Sequence, residues 1–439
     1  MPLPSSLIIP NSKPVDGSIT VPGSKSLTNR ALLVAALAQG TSLLKGILHS
    51  DDTKYMTEAL QALGVKFEVQ AEGLSVFGKA GTLGPTDQTL YVQNAGTAAR
   101  FLTAALGLGQ GQYRLDGNER MRQRPIGDLI DALSCLGVAV KDEQGNRCPP
   151  LQIQGGGFQG GHVNIPGDQS SQYLSALMLT AINAKADTEV TIVGPLVSRT
   201  YVEMTCKLIH DFGATTSWVS DSKLLIPGRQ TYQAREYRVE GDASSASYFF
   251  ALAAITGGEI TVKGIQKDST QGDLGLVYIL EQMGCCLSFD GENVTLKGGP
   301  LTAVDVDMNT MSDVAPTLAV VALFAKGTTV IRNVANMRIK ECDRITAVTT
   351  ELSKLGAKVE EFPDGLSVVG GTALKGATLD TYDDHRMAMA LCLAGLKVPE
   401  ITINDPSCVS KTFPDFFSQL FPLLQPVSSR DQQLLEQLS

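Results

Sequence analysis

The chain repeats one pattern of strands and helices six times, and this internal repeat constrains its fold more than any other feature. Each copy has a short alternating strand, a polar or glycine-bearing loop, an apolar run rich in Ala and Leu, and another alternating strand. Successive copies start 67 to 74 residues apart, at Val21, Val92, Ile165, Val239, Val306 and Leu379. Because the copies account for nearly all of the 439 residues, the chain is built from one supersecondary unit used repeatedly.

Each full copy also contains a second helix that ends at a glycine, as in DALSCLGVAV near residue 135. A glycine at this place supplies the positive φ that ends a helix, and the alternating residues after it predict a half-exposed strand. The first helix of each copy is apolar on all sides, which is typical of an interior helix. Each copy is therefore predicted to be a βαβαββ unit with a buried first helix and a more amphipathic outer helix.

The repeat predicts an α/β fold, and it leaves two arrangements of the copies open. Six units divide most simply into three plus three, which gives two lobes of similar build with a boundary near Val239. The alternative is a closed ring or a solenoid of six units. Sequence periodicity alone does not decide between them.

The charge balance and the cysteine spacing exclude several classes of function. The 36 Lys and Arg against 45 Asp and Glu give a net charge of −9, which disfavours binding to nucleic acid or to anionic membranes. The eight Cys include no CxxC pair and there are four scattered His, so we expect no metal site and free, buried thiols. The apolar stretch 314–325 is shorter than the ~18 residues of a membrane span, and we expect a soluble cytoplasmic protein.

The loops before the buried helices differ from copy to copy and hold most of the candidate functional residues. Helix N-termini favour anions because their N–H groups are unpaired, although Ser, Asp and Asn at these places are also the usual helix caps. Basic residues are unfavourable there unless an anion binds. Lys25, Arg30, Arg100 and Arg386 therefore indicate a ligand that carries phosphate or carboxylate groups.

Two further basic clusters favour the same kind of ligand. Arg120, Arg122 and Arg124 precede a predicted helix, and RIKECDRI at 338–345 mixes basic and acidic residues. Mixed charge often marks a solvated helix face, but paired Arg side chains also match phosphate and carboxylate. The chain has no P-loop, dinucleotide fingerprint, HExxH or GxSxG motif. These observations indicate an enzyme without a cofactor that acts on small, multiply anionic molecules.

Six motifs in this chain resemble, in order, those of the 5-enolpyruvylshikimate-3-phosphate synthase family. They are PGSKSLTNR at 22–30, NAGTAAR at 94–100, RQRPIGDL at 122–129, RIKECDRI at 338–345, DDHRMAM at 383–389 and KTFPDF at 411–416. The resemblance implies transfer of the enolpyruvyl group of phosphoenolpyruvate to the 5-hydroxyl of shikimate 3-phosphate, with release of phosphate and without a cofactor. It also implies a two-lobed inside-out α/β barrel with three repeats per lobe: 1–21 with 241–427, 22–240, and a tail at 428–439.

The resemblance assigns ligands to individual residues. For shikimate 3-phosphate the matching residues are Lys25, Ser26, Arg30, Ser170, Ser171, Gln172, Ser198, Asp313, Asn336 and Lys340. For phosphoenolpyruvate they are Lys25, Asn94, Gly96, Arg124, Gln172, Arg344, Arg386 and Lys411. The implied inhibitor is glyphosate, which in this family occupies the phosphoenolpyruvate pocket, and we expect a monomer.

The same resemblance implies the proton-transfer roles. Asp313 matches the base that takes the proton of the 5-hydroxyl, and Glu341 matches the donor to C3 of phosphoenolpyruvate. Lys25 is a second candidate for proton transfer, and His385 is a candidate that we expect to orient the site. Phe101 departs from the family pattern, which commonly has Pro at this place.

Two other functions were weighed against this one. The related enzyme that transfers enolpyruvyl to UDP-N-acetylglucosamine is expected to carry a Cys in the mobile loop that corresponds to 118–124, and this chain has none there. A non-catalytic ring of repeats around nucleic acid would be basic, whereas this chain is acidic. Both alternatives are therefore disfavoured by the sequence.

Overall fold

The computed structural model describes residues 3–438, which form a mixed α/β fold, as the repeat predicts. The strands in that range, numbered in chain order, are β1 (Ser6–Ile8), β2 (Ser12–Lys13), β3 (Asp16–Thr20), β4 (Thr41–Lys45), β5 (Lys66–Gln70), β6 (Gly73–Phe77), β7 (Thr89–Tyr91), β8 (Gln112–Asp116), β9 (Ala139–Asp142), β10 (Leu151–Gln154), β11 (Gly161–Pro166), β12 (Thr188–Val193), β13 (Ser217–Ser220), β14 (Lys223–Ile226), β15 (Glu236–Arg238), β16 (Glu259–Lys263), β17 (Cys286–Asp290), β18 (Asn293–Lys297), β19 (Asp305–Asp307), β20 (Thr328–Arg332), β21 (Lys358–Phe362), β22 (Gly365–Val369), β23 (Thr378–Leu379), β24 (Thr402–Asn404) and β25 (Gln425–Pro426).

The helices follow the alternation that the repeat predicts. They are α1 (Lys25–Leu37), α2 (Asp51–Ala62), α3 (Gly96–Ala105), α4 (Gly127–Cys135), α5 (Ser171–Ala181), α6 (Arg199–Asp211), α7 (Ala243–Thr256), α8 (Leu276–Gln282), α9 (Ala315–Ala322), α10 (Arg344–Lys354), α11 (His385–Cys392), α12 (Phe416–Leu420) and α13 (Ser429–Leu438). Short 3₁₀ segments lie at Leu106–Leu108, Met121–Gln123, Gly272–Gly275, Asn309–Val314, Ala335–Ile339, Leu393–Leu396, Pro406–Lys411 and Phe421–Leu423.

The chain divides into two compact units. Unit 2 is the continuous segment Gly23–Val239, and unit 1 combines the described residues up to Pro22 with those from Glu240 onward. Unit 1 is therefore discontinuous in sequence, because the chain leaves it after Pro22 and returns to it at Glu240.

Unit 2 contains three four-stranded sheets with one topology. Their strand orders are β15-β4-β6-β5, β7-β8-β10-β9 and β11-β12-β14-β13. In each sheet the first pair of strands is parallel and the other two pairs are antiparallel. A parallel pair needs a crossover connection, which α3 and α5 provide in the second and third sheets.

Unit 1 repeats this arrangement, but one of its three repeat sheets has three strands instead of four. Its sheets have the orders β3-β16-β18-β17, β19-β20-β22-β21 and β1-β24-β23, and β2 pairs with β25. In the three-stranded sheet, β23 and β24 are parallel and the N-terminal strand β1 pairs antiparallel with β24. The first residues of the chain therefore complete the last copy of the repeat.

Two strands lie outside the sheet to which the linear repeat assigns them. Strand β3 precedes α1 in sequence but pairs with β16 in unit 1, and β15 precedes α7 but pairs with β4 in unit 2. The chain passes from one unit to the other directly after each of these strands. The copies starting at Val21 and Val239 therefore exchange their first strands, which no comparison of the copies along the sequence reveals.

Each unit has a core of three helices that are wholly or largely buried. In unit 2 these are α1, α3 and α5, and in unit 1 they are α7, α9 and α11. Every residue of α3, α7, α9 and α11 is buried. The prediction of a buried first helix in each copy is confirmed, and the sheets and outer helices cover it.

The glycines that end the outer helices have the predicted conformation. Gly64, Gly137, Gly213, Gly284 and Gly356 have φ between +79° and +116°. A side chain at such a place would be strained, so the Leu-Gly signal located the ends of α2, α4, α6, α8 and α10.

The C-terminal helix α13 is anchored to unit 1 by a buried carboxylate. Asp431 Oδ1 accepts from the backbone N–H of Asn11 at 2.9 Å, and its Oδ2 accepts from the N–H of Ser428 at 2.9 Å. Leu435 also packs against the apolar core of the unit. The tail from residue 428 thus joins the N-terminal segment through direct contacts.

The thiols are free, as expected, but they are not all buried. Cys148, Cys285, Cys392 and Cys408 are buried, whereas Cys135 and Cys286 are exposed. The expectation of uniformly buried thiols is wrong because these two residues lie at the end of an outer helix and on an edge strand. Over residues 3–438, no group of His, Cys, Asp and Glu is arranged to hold a metal ion, and none of the helices has the length and apolar character of a membrane span.

The N-terminal strand allows a matched test of the core. Leu7 is 1% exposed and pairs with Ile403, whereas Ile8 on the same strand is 37% exposed. We expect Leu7→Ala to lower the free energy of unfolding by about 2–4 kcal/mol, because it leaves a cavity in the core. Ile8→Ala should change it by less than ~1 kcal/mol. Urea denaturation of both variants measures the difference, and equal losses would contradict the packing of β1.

Candidate functional site

The candidate residues of unit 1 lie at the starts of its helices and in the adjoining 3₁₀ segments. Asp313 lies in the 3₁₀ segment before α9, Arg344 begins α10, Arg386 is the second residue of α11, and Lys411 ends a 3₁₀ segment. Because the buried helices pack side by side, their first turns bring side chains from distant parts of the sequence into contact.

Asp313 is the centre of this cluster because three cations share its carboxylate. Its Oδ1 accepts from Lys340 Nζ at 2.7 Å and from Arg344 Nη1 at 3.0 Å. Its Oδ2 accepts from Arg386 Nη2 at 2.8 Å. The Asp313 side chain is 14% exposed, so these charge-assisted bonds form in a largely dry environment.

Arg344 connects Asp313 to two more carboxylates. Its Nε donates to Asp384 at 2.7 Å, and its Nη2 donates to Glu341 at 2.7 Å and to Asp384 at 3.1 Å. Burial by itself would lower the pKa of this guanidinium, but the three carboxylates outweigh burial and raise it well above its ordinary value. Arg344 is therefore a permanent positive charge with a single fixed orientation.

Glu341 lies between two cations. Its Oε2 accepts from Arg344, and its Oε1 is 3.2 Å from Lys411 Nζ. The Glu341 and Lys411 side chains are both less than a tenth exposed. Each oxygen of this carboxylate is therefore close to a different cation.

Asp384 caps α11, and His385 is fully buried beside it. Asp384 Oδ1 accepts from the backbone N–H of Arg386 at 2.9 Å, so one carboxylate both caps the helix and holds Arg344. His385 Nδ1 is 3.6 Å from that same oxygen, and its side chain has no exposed surface. Asn336 is buried in the 3₁₀ segment that ends just before Lys340.

In unit 2, α1 contributes Lys25, Ser26 and Arg30. Ser24 caps the helix, and Lys25 Nζ is 3.5 Å from Asp52 Oδ2 at the start of α2. Lys25 therefore keeps a carboxylate partner at a helix start, where a bare cation is unfavourable.

Arg30 is buried and has no carboxylate among its contacts within residues 3–438. Its N–H groups donate to Thr205 Oγ1 at 2.8 Å, Ser175 Oγ at 3.2 Å, and the carbonyl oxygens of Ser26 and Tyr201. Burial lowers the pKa of this guanidinium to about 10. The Phe101 ring lies 5.1 Å from its central carbon, so the residue that departs from the family pattern packs against a cation instead.

Arg124 is held against Asn94 and Gly96. Its Nη1 donates to Asn94 Oδ1 at 3.0 Å and to Asn94 O at 3.1 Å. A Cβ atom on Gly96 would lie 2.5 Å from Arg124 Nη2, so only glycine leaves the guanidinium in this position. The basic loop and the NAGTAAR motif therefore form one cluster.

Arg100 braces the loop that carries Arg124. Its Nη2 donates to the carbonyl oxygen of Pro125 at 2.7 Å, which also accepts from Tyr173 OH at 2.6 Å. These two bonds fix the segment that follows Arg124. Arg122 is a surface residue that pairs with Asp116 at 2.8 Å, and Arg120 is half-buried.

The Ser and Gln candidates lie at the starts of α5 and α6. Ser170 caps α5 by accepting from the N–H of Gln172 at 3.2 Å, and Gln172 Nε2 donates to Thr97 Oγ1 at 3.3 Å. Ser171 is buried. Ser198 is buried in a left-handed conformation with φ +53°, a strained state that is often found at functional sites.

One cavity in unit 2 does not contain these residues. It has a volume of about 770 Å³ and is lined by residues of β8, β9 and β10, including Gln112, Arg114 and Gln152. The candidate site is therefore defined by its charges rather than by this groove.

Comparison with known proteins identifies the family. The family model of EPSP synthase (3-phosphoshikimate 1-carboxyvinyltransferase) matches residues 9–420. The chain belongs to the EPSP synthase family.

Relatives and solved structures agree with this assignment over nearly the whole chain. The 3-phosphoshikimate 1-carboxyvinyltransferases of Photobacterium profundum and Trichormus variabilis are 49% and 47% identical, each covering 94% of this chain and 97% of their own. The EPSP synthase structure from Acinetobacter baumannii has a TM-score of 0.81 at 26% identity and covers 96% of this chain and 98% of its own. The sequence resemblance and the α/β fold class are confirmed, and the UDP-N-acetylglucosamine alternative is not favoured.

Several partners of these EPSP synthase residues were not found from the sequence. Asp52, Ser175 and Thr205 contact Lys25 or Arg30, and Asp384 holds Arg344. Asp384 lies inside the DDHRMAM motif, where it looks like an ordinary helix cap. Its second role depends on a contact with α10 that no local pattern shows.

The Arg344 cluster allows a test of stability against pH. We expect Arg344→Met to destabilise the fold by roughly 3–5 kcal/mol at neutral pH, because it leaves buried carboxylates without their cation. Those carboxylates then have raised pKa values in the folded state, so the folded variant binds protons more tightly than its unfolded chain. The deficit relative to the unmodified protein should shrink as the pH falls from about 8 to about 5.

Thermal unfolding of both proteins across this pH range measures the effect. Arg332→Met is the matched control, because Arg332 pairs with Asp305 at the exposed surface. A deficit that stays constant with pH would show that the carboxylates do not depend on Arg344.

Proposed function

We propose that this chain transfers the enolpyruvyl group of phosphoenolpyruvate to the 5-hydroxyl of shikimate 3-phosphate and releases phosphate. Membership of the EPSP synthase family supports this activity. The observation that carries it is a carboxylate, Asp313, that three cations hold in a buried cluster. Such a cluster attracts anionic substrates and keeps a base next to them.

The proposed binding residues of each unit divide between the two substrates. In unit 1, Arg344, Arg386 and Lys411 bind phosphoenolpyruvate, while Asp313, Asn336 and Lys340 bind shikimate 3-phosphate. In unit 2, the phosphoenolpyruvate residues are Lys25, Asn94, Gly96, Arg124 and Gln172. Those for shikimate 3-phosphate are Lys25, Ser26, Arg30, Ser170, Ser171, Gln172 and Ser198. The guanidinium groups suit this role because their paired N–H donors match phosphate and carboxylate oxygens.

The reaction proceeds by addition and elimination. Asp313 takes the proton of the 5-hydroxyl while the hydroxyl oxygen bonds to C2 of phosphoenolpyruvate. Glu341 donates a proton to C3. The tetrahedral intermediate then returns the C3 proton to Glu341 while the bond from C2 to the phosphate oxygen breaks. Phosphate leaves with the proton that Asp313 held.

The remaining candidates support these two groups. Lys25 is a second candidate for proton transfer, and its contact with Asp52 keeps it close to the start of α1. His385 orients Asp384 and the first turn of α11, since its buried ring has no surface for a substrate.

The proposal also includes the inhibitor, the oligomeric state and the cellular location. Glyphosate competes with phosphoenolpyruvate for the Gly96 and Arg124 cluster, and the enzyme acts as a cytoplasmic monomer. The free thiols are compatible with a reducing compartment.

Phosphate release from phosphoenolpyruvate tests the activity, with shikimate 3-phosphate and UDP-N-acetylglucosamine compared as acceptors. Release with shikimate 3-phosphate alone is expected. Release with UDP-N-acetylglucosamine alone would overturn the assignment.

Asp313→Ala tests the role of the base. We expect kcat to fall by about 10²- to 10⁴-fold, because the 5-hydroxyl proton loses its acceptor. KM for both substrates should change far less, since the cations that bind them remain. Steady-state phosphate release measures both constants, and a near-normal kcat would disprove the assignment of Asp313.

Arg124→Ala and Lys411→Ala test the anion site. Each removes one charged hydrogen bond of about 1.5–3 kcal/mol, which predicts a roughly 10- to 150-fold higher KM for phosphoenolpyruvate. Arg122→Ala is the control in the same loop, because Arg122 pairs with Asp116 at the surface. An equal rise in KM for Arg122→Ala would mean that net charge matters rather than these contacts.

A further inference from the structure

Unit 1 contains a buried carboxylate that the proposed reaction does not use. Asp273 lies in the 3₁₀ segment Gly272–Gly275 and is 3% exposed. Its Oδ2 accepts a hydrogen bond from the hydroxyl of Ser244, in the first turn of α7. Because burying a charge is costly, a carboxylate in this place needs a physical reason.

The Ser244 hydroxyl links Asp273 to the cluster around Asp313. Arg386 Nη2 donates to Ser244 Oγ at 3.3 Å and to Asp313 Oδ2 at 2.8 Å. One guanidinium nitrogen therefore divides its hydrogen bonding between the hydroxyl that serves Asp273 and the carboxylate that serves as base. The more strongly Arg386 bonds to the hydroxyl that serves Asp273, the less strongly it bonds to the Asp313 carboxylate.

The charges around Asp273 favour exchange of a proton near neutral pH. Burial raises its pKa to about 6, with a further increase from Asp313, while Arg386 and the Ser244 hydrogen bond act in the opposite direction. The other charged group facing it is Asp242, from the start of α7. Helix α8 packs beside it and begins with apolar residues; its first charged residue, Glu281, is exposed.

The segment that carries Asp273 is tied to the start of α7 by other residues as well. Gln271 already ties this segment to α7, because its Oε1 accepts from the N–H of Ala243 at 3.2 Å and its Nε2 donates to Gly241 O at 2.7 Å. Asp242 separately caps α7 by accepting from the N–H of Ser245 at 2.7 Å. A neutral side chain at position 273 would leave these contacts intact.

We propose that Asp273 is a positioning residue that, through Ser244 and Arg386, sets how strongly Asp313 binds a proton. The inference rests on the proposed role of Asp313 as the base. Three cations on one carboxylate make it a weak base, and Asp273 opposes them by drawing on the charge of Arg386. Asp313 therefore stays basic enough to accept a proton from a hydroxyl group.

The pH dependence of kcat tests this coupling in the full-length enzyme. Asp273→Asn keeps a hydrogen-bond acceptor for Ser244 but removes the charge. We expect the acid limb of the kcat profile to move to lower pH by roughly half a unit to one unit, with a kcat plateau about three- to tenfold lower. The limb should then report the titration of Asp313 without its coupled neighbour.

Ser244→Ala removes the hydroxyl group that connects Asp273 to Arg386. It should reproduce the shift of Asp273→Asn, and the double variant should lose no more than either single variant, because both act on one path. Ser247→Ala is the matched control: its buried hydroxyl on the same helix bonds to Ser244 O and Thr317. Its profile should match that of the unmodified enzyme.

Thermal stability separates this role from a structural one. The raised pKa of Asp273 means that the folded state loses stability as the pH rises through about 6, where the buried group ionises. Asp273→Asn should therefore melt at the same temperature as the unmodified enzyme or higher at pH near 8. A lower melting temperature together with an unshifted acid limb would overturn the proposal.

Titration of Asp313 by ¹³C NMR decides the question without turnover. Its pKa should be lower in Asp273→Asn than in the unmodified protein, and an unchanged pKa would refute the coupling. If the unmodified protein releases no phosphate with shikimate 3-phosphate, the proposed function fails, while this titration still tests the link from Asp273 to Asp313.

Discussion

The structure depends on helices that have no polar face. Helices α7, α9 and α11 are buried on every side, and so is α3 in unit 2. A helix of this kind must be covered all round, which a single sheet cannot do. Three sheets with their outer helices supply the cover in each unit, so the threefold use of the βαβαββ repeat follows from hydrophobic burial.

The same packing gathers the charges. The buried helices α7, α9 and α11 lie side by side, and with the start of the outer helix α10 they place Ser244, Asp313, Arg344 and Arg386 in contact. Helix N-termini repel cations, and Arg344 is stabilised there by Asp384 from the next copy as well as by Glu341 and Asp313 from its own. The cluster thus combines ion pairs within one copy and between two copies.

The two units show two ways of keeping a buried guanidinium. Arg344 is compensated by three carboxylates, whereas Arg30 is held by hydroxyl and carbonyl oxygens and by the Phe101 ring. The carboxylates raise the pKa of Arg344. Burial lowers the pKa of Arg30 to about 10, because no carboxylate contacts it within residues 3–438. Arg344 therefore orders the carboxylates around it, while Arg30 ties its own helix to Thr205, Ser175 and Tyr201.

The sequence by itself determined the repeat, the buried and outer helices, the glycines that end them and the basic residues at the helix starts. These are local properties: apolar spacing, conformational preference and the cost of a cation at a helix N-terminus are all visible within a few residues. Only the tertiary structure decided that β3 and β15 exchange sheets, that Asp384 serves Arg344 as well as its own helix, and that Asp273 reaches Asp313 through Ser244. Strand pairing and side-chain partners join residues that are far apart in sequence, and they are selected by the packing of whole copies against one another, which no local pattern encodes.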